Sequence, residues 1–301
     1  VIDVTGLRLL AIHAHPDDES SKGAATMARY AAEGHRVMVV TCTGGERGDI
    51  LNPAMDRPGI RERIDEVRRE EMAEAARALG IEHRWLGYVD SGLPEGDPLP
   101  PLPEGCFARE SGEDIAAELV EIIRDFRPHV IITYDENGGY PHPDHLKVHE
   151  ASMIAWAKAG DPAVVTTARD TGRNQEPWEP LKLYYTHGFV YERIKAFHDL
   201  LVERGQESPY ERMLGFMQDS EDIMARVTTQ VPCADYFEAR AAALRAHATQ
   251  VDPRGGFLVI DAQEQARLWP TEEFELAATR VATTLPEGDL FAGVAGDGGL
   301  D

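Results

Sequence analysis

The sequence predicts an α/β fold: a mostly parallel sheet with helices on both faces, followed by a mainly helical C-terminal part. Three observations carry that expectation. Short continuous apolar runs alternate with helical segments through the first half of the chain, which is how strands buried on both faces read. Two of those runs lead into clusters of His and Asp, as the open ends of parallel strands do when they carry a site. Hydrophobic residues make up 43% and charged ones 28% of 301 positions, a globular profile with enough chain for one large domain or two small ones.

Leu7 to Ile12 is a short apolar run that stops at His13 and reads as a buried strand. Gly23 to Ala32 holds helix formers, Gly34 ends that helix, and Val37 to Cys42 is a second buried strand. From about Gly59 to Leu79 runs a highly charged helix. Its apolar residues recur at Ile64, Val67, Met72, Ala75, Ala76 and Leu79, and Gly80 stops it. Trp85 to Tyr88 is a third strand, and the Pro- and Gly-rich stretch from Asp90 to Gly112 is a loop over the surface or the site. Ser111 to Asp114 caps a helix reaching about Phe126, and Val130 to Tyr134 is the clearest strand of the chain.

Past a polar stretch from Arg169 to Glu179, Lys182 to Phe189 adds a strand, and residues 190–280 read as mostly helical, Tyr236 to Ala248 best of all. The expected organisation is a metal-binding catalytic core over 1–180, a part over 181–285 that completes the substrate pocket within the same domain, and a mobile Gly-rich tail over 286–301.

Lys and Arg number 30 against 53 Asp and Glu, a net charge of −23 that repels phosphodiester backbones and anionic lipid headgroups. Neither a nucleic acid nor a membrane is therefore expected as a partner. Cys42, Cys106 and Cys233 are scattered, odd in number and without a C-x-x-C pair, which points to a reducing cytoplasm. No stretch approaches eighteen apolar residues, and no basic segment precedes an apolar one at the start, so neither a membrane span nor export is expected.

The first strand ends in His13-Ala14-His15-Pro16-Asp17-Asp18-Glu19, and the strongest strand leads to Tyr140-Pro141-His142-Pro143-Asp144-His145. Two imidazoles and a carboxylate are a recurring donor set for a catalytic zinc with one open position. His15 and Asp18 can come from one tight turn, and His145 can join them from across the cleft. Asp17 is then a carboxylate not needed for coordination and placed to take a proton from water on the metal. Asp17, Asp18 and Ser20 can also cap the helix that follows, and Asp144 can be the N-cap of a helix entered at His145. His13 is either a core histidine or a site residue, and it is not counted as a ligand. The glycines around Gly44-Gly45-Glu46-Arg47-Gly48-Asp49 match no phosphate-loop pattern and read as a flexible loop.

His15-Pro16-Asp17-Asp18-Glu19 with His142-Pro143-Asp144-His145 resembles the paired signature of the zinc-dependent N-deacetylases related to N-acetylglucosaminyl-phosphatidylinositol deacetylase, the LmbE-like superfamily with a Rossmann-like sheet. Within it, His13 to Thr26, Tyr134 to His145 and Arg245 to Pro253 resemble the actinobacterial mycothiol branch. That branch deacetylates N-acetylglucosaminyl-inositol or cleaves the amide of mycothiol S-conjugates in thiol-based detoxification. Glu19 to Gly23 and Ala246 to Pro253 resemble the second activity more closely. A paralogue acting on a mycothiol-linked natural product intermediate and a non-catalytic sugar- or nucleotide-binding module are the other readings.

The resemblance implies one zinc per chain, or another divalent metal, on His15, Asp18 and His145, with Asp17 as general base. It implies His142 as general acid or oxyanion stabiliser, Asp144 as the carboxylate holding that imidazole, and Tyr140 as a loop residue polarising the carbonyl. Arg68 and Asp90 match positions that hold sugar or inositol hydroxyls, with Glu46 and Asp49 nearby. Lys22 is expected to reach the acyl side of a pseudodisaccharide thiol conjugate. A homo-oligomer formed through apolar helix faces is compatible with these readings.

Overall fold

A computed structural model describes residues 6–167, 172, 174–218 and 222–294. Its strands are β1 (Arg8–His13), β2 (Arg36–Thr43), β3 (Glu82–Tyr88), β4 (Val130–Thr133), β5 (Lys182–His187), β6 (Thr229–Pro232) and β7 (Thr271–Thr279). Helices are α1 (Asp18–Ser21), α2 (Ala24–Ala32), α3 (Ile64–Leu79), α4 (Gly112–Phe126), α5 (Pro143–Lys158), α6 (Tyr191–Glu203), α7 (Glu211–Met217), α8 (Ile223–Arg226), α9 (Phe237–Ala246) and α10 (Ala262–Leu268). All seven strands share one sheet, ordered β3-β2-β1-β4-β5-β7-β6, in which β1 to β5 run parallel and β7 and β6 are antiparallel additions. The mostly parallel α/β architecture is as the sequence predicts.

The apolar run of β1 alternates between two cores. Leu10 and Ile12 pack with Ile115 and Leu119 of α4 and Val148 of α5, while Leu9 and Ala11 pack with Met27 and Tyr30 of α2 and Met72 of α3. Leu9, Leu10 and Ile12 are wholly buried, and each such side chain contributes roughly 1.5–3 kcal/mol. Helix boundaries follow local chemistry: Ser111 accepts the Asp114 N–H at the start of α4, and Gly80 takes the left-handed conformation that ends α3. Among the described residues no helix is long and apolar enough to cross a membrane.

Two expectations are corrected. Residues 190–280 hold the expected helices, α6 to α10, but also two unforeseen strands, β6 and β7, which extend the sheet there. The acidic pair Glu272-Glu273 hides β7 from a hydrophobicity reading, yet both side chains are buried and partnered. Glu272 accepts the Ala25 and Thr26 N–H groups at the start of α2, and Glu273 binds Arg193 at 2.7 Å.

Residues 286–294 are not a mobile tail. Leu290 and Phe291 pack into the core with Tyr30, and Glu287 accepts from Lys182 Nζ (2.7 Å) and the Tyr184 hydroxyl (2.6 Å). The end of the tail, 295–301, and part of the polar stretch from Arg169 lie outside the described residues. Glu287→Ala strands a buried lysine ammonium, and a loss of about 3–5 kcal/mol is expected in chemical denaturation.

Candidate metal centre

β1 and β4 are neighbours, but the chain leaves β1 toward β2 on one side and β4 toward β5 on the other. The crevice where the strand order reverses lies beyond their carboxyl ends, the usual ligand site of such sheets. β1 runs directly into His15 to Asp18 and the short α1, and β4 leads through a loop into α5. His142, not Asp144, caps α5: its Nδ1 accepts the Asp144 N–H at 3.1 Å, and Pro143 takes the first helical position.

Three side-chain atoms converge in this crevice. His15 Nδ1 and His145 Nε2 are 3.3 Å apart, and each lies 3.4 Å from Asp18 Oδ2. A tetrahedral ion with bonds of about 2.0–2.1 Å needs donors about 3.3 Å apart, so this triangle fits a divalent cation without rearrangement.

The surrounding contacts orient each donor. His145 Nδ1 donates to the Gly138 carbonyl at 2.8 Å, which leaves its Nε2 lone pair toward the centre. Gly138 has φ +69°, and a Cβ there would lie 2.7 Å from His145 Cβ, so only glycine permits that approach. His15 Nε2 faces Asp144 Oδ2 at 3.2 Å and Asp90 Oδ1 at 3.5 Å. The Tyr134 hydroxyl donates to Asp18 Oδ2 (2.6 Å), and Lys22 Nζ to Asp18 Oδ1 (2.5 Å).

The electrostatics match a cation site. Burial opposes charge on His15, yet hydrogen bonds to Asp144, Asp18 and Asp90 outweigh it and raise its pKa well above the ordinary value. Burial likewise disfavours ionised Asp18, but Lys22 and His145 hold its pKa well below the carboxylate range. Burial and the adjacent Asp18 charge push Asp17 up to about 7. Among the described residues no hydrogen bond reaches the Asp17 carboxylate, while its N–H donates to Glu19 Oε2 at 3.0 Å. Asp17 adopts φ 114°, a left-handed conformation rare outside glycine that stores roughly 1–3 kcal/mol of strain. Burial and the fields of His15 and His145 bring His142 down to about 4.

The other expected site residues divide. Tyr140 is 40% exposed, with its ring 4.8 Å from that of His145 and 6.1 Å from that of His142. The carboxylate of Asp144 does not hold His142. One oxygen is taken by His15 and the Ser91 N–H, because the α5 cap turns the side chain toward β1.

Lys22 does not reach outward either. It is buried, and Asp18 and Ser21 occupy its ammonium group. Arg68 is buried and donates to the Gly48 and Asp49 carbonyls, while Arg69 stacks on Trp85. Asp90 accepts the N–H groups of Arg47 and Gly92, and Glu46 accepts that of Asp90. The Asp49 side chain is exposed, and only its carbonyl meets Arg68. His13 is buried, and among the described residues neither of its ring nitrogens has a hydrogen-bond partner.

One pair escaped sequence reasoning. Glu19 and His247, both fully buried, form an ion pair at 2.7 Å. Burial alone would raise Glu19, but His247, the Ser20 hydroxyl and the Asp17 N–H hold it at about 2. The segment after His247 is fixed by Thr249, whose N–H and hydroxyl donate to Glu71 at 2.8 and 2.7 Å. The only sequence signal was the run Arg245 to Pro253, which names no partner.

Comparison with known proteins gives three kinds of likeness. The GlcNAc-PI de-N-acetylase family (PIG-L) matches residues 10–156. A mycothiol S-conjugate amidase of Streptomyces coelicolor is 57% identical over 96% of this chain and 97% of its own. A 1D-myo-inositol 2-acetamido-2-deoxy-alpha-D-glucopyranoside deacetylase of Thermobispora bispora is 40% identical over 97% and 94%. Among solved structures, N,N'-diacetylchitobiose deacetylase from Pyrococcus horikoshii superposes with a TM-score of 0.56 at 17% identity, covering 96% of this chain and 87% of its own. A conserved protein from Thermus thermophilus does so at 0.56 and 21%, covering 92% and 97%. At those identities the structural likenesses speak for the fold alone.

Proposed function

The chain belongs to the GlcNAc-PI de-N-acetylase (PIG-L) family, and from that premise we propose that it is a zinc-dependent amidase of mycothiol S-conjugates, releasing glucosaminyl-inositol and an N-acetylcysteine S-conjugate. The observation that carries the chemistry is the 3.3–3.4 Å triangle of His15, Asp18 and His145 beside the uncommitted Asp17 carboxylate. The substrate assignment is supported by the 57% identical amidase over nearly the whole chain.

His15, Asp18 and His145 would hold the zinc, which when bound would supply Lewis acidity toward water and the amide carbonyl. Asp17, with a pKa near 7, accepts the proton of the attacking water. His142 is neutral at pH 7, and its Nδ1 is an acceptor, so its Nε2 carries hydrogen and donates to the oxygen that gains charge. Tyr140 is the second donor to that oxygen. The N–H of a neutral His142 is too weak an acid to protonate the departing amine, which leaves Asp17 to return the proton it took. Arg68, Asp90 and Glu46 hold the polyol on the β2–β3 side. The three buried free cysteines favour a cytoplasmic enzyme.

Side-by-side kinetics on an S-alkylated mycothiol and on N-acetylglucosaminyl-inositol test the assignment. The conjugate is expected to have the higher kcat/KM, and the reverse order assigns the chain to deacetylation. Chelation is expected to abolish hydrolysis and added zinc to restore it. Because Lys22 is engaged with Asp18, Lys22→Ser is expected to lower hydrolysis of both substrates in equal proportion, measured as the ratio of their specificity constants.

A further inference from the structure

A wide cleft of about 1100 Å³ lies between the Asp135–Pro141 loop and the helices α6, α7 and α8. Of its lining, the mechanism uses Tyr140 alone. It adjoins the metal centre at Tyr140, whose ring lies against those of His142 and His145, and at Leu146, the residue after His145.

Its apolar lining comes from Tyr140, Leu146, Phe189, Tyr191, Met213 and Met217. Methionine is unbranched and adapts to differently shaped apolar groups. The charged lining is acidic: beside the amides Asn137 and Gln218, Asp135, Glu136, Glu192 and Asp222 border the cleft, and among the described residues no Lys or Arg does. Arg226 offsets Asp135 and Glu136 by ion pairs at 3.2 and 3.0 Å, so the remaining field is negative.

Topology assigns the occupant. The groups proposed for the polyol sit on the loops after β2 and β3 and on α3 between them, on one side of β1, whereas the cleft adjoins β4 and β5 on the other. With the amide at the metal and the polyol toward β2 and β3, the acyl half points to the β4–β5 side, where this cleft lies. Resting on the amidase reading, we propose that the cleft binds the substituent on sulfur and selects bulky apolar, neutral or cationic groups over anionic ones.

The test compares mycothiol carrying S-methyl, S-benzyl, S-carbamoylmethyl and S-carboxymethyl groups on the metal-loaded enzyme. S-benzyl is expected to exceed S-methyl about tenfold in kcat/KM, chiefly through KM, since the ring exchanges water for apolar walls. S-carbamoylmethyl, nearly isosteric with S-carboxymethyl, is expected to exceed it about tenfold at low ionic strength, with the gap narrowing as salt rises. Met217→Gln and Phe189→Ser should each erase most of the benzyl preference, and Glu192→Lys should shrink the penalty on carboxymethyl. Calorimetric binding of the free S-benzyl and S-carboxymethyl N-acetylcysteines should show the same order without turnover. A series that is hydrolysed without discrimination, or ratios unmoved by the variants, overturns the cleft assignment alone. Failure to hydrolyse even the S-methyl conjugate removes the amidase reading and the cleft assignment with it.

Discussion

Asp17→Asn is expected to lower kcat by about 10²–10⁴-fold, the range usual for losing a positioned general base, while metal content and thermal midpoint stay near those of the parent. Asn matches Asp in shape and is among the few residues that tolerate a left-handed backbone, so φ 114° and the N–H bond to Glu19 survive. What disappears is the carboxylate held near pKa 7 by burial and by Asp18. Steady-state kinetics, metal analysis and a melting curve check the three parts. A variant that keeps more than a tenth of the parent kcat with full metal occupancy would show that another group takes the proton.

The second large effect concerns the Glu19–His247 pair. His247→Ala is expected to cost about 3–5 kcal/mol of stability, because it leaves a fully buried carboxylate without its counter-charge. Among the described residues Glu19 would keep the Ser20 hydroxyl and the Asp17 N–H as its partners. Since Glu19 accepts from the strained residue at position 17, the variant should also loosen the base. The double variant Glu19→Gln with His247→Ala should recover part of the stability, and denaturant unfolding of the single and double variants closes the cycle. Additive losses would mean that the two side chains act independently.

The strands nearest the site were legible because parallel strands covered on both faces read as unbroken apolar runs, as Leu7 to Ile12 and Val130 to Tyr134 do. The two His/Asp clusters were equally visible, since each lies at the end of such a run. Strand β7 was not, because its buried Glu272 and Glu273 are neutralised by partners far along the chain. The same reason hid His247, 228 residues from Glu19, for a buried ion pair leaves no local pattern. Side-chain direction was the third blind spot. Asp144 and Lys22 sit where the motifs suggest, but the α5 cap aims one at His15, and an i,i+4 spacing on the first turn ties the other to Asp18.

His15 and His145 are 130 residues apart and meet only because β1 and β4 pair side by side at the reversal of strand order. An unfolded chain keeps only the local His15–Asp18 pair, so the complete donor set belongs to the native state and a bound ion is expected to favour it. Each tenfold rise of free zinc above its dissociation constant should add about 1.4 kcal/mol to the unfolding free energy. A chain of this kind is expected to lose stability as well as activity when its metal is withdrawn, which denaturant unfolding with and without chelator would read.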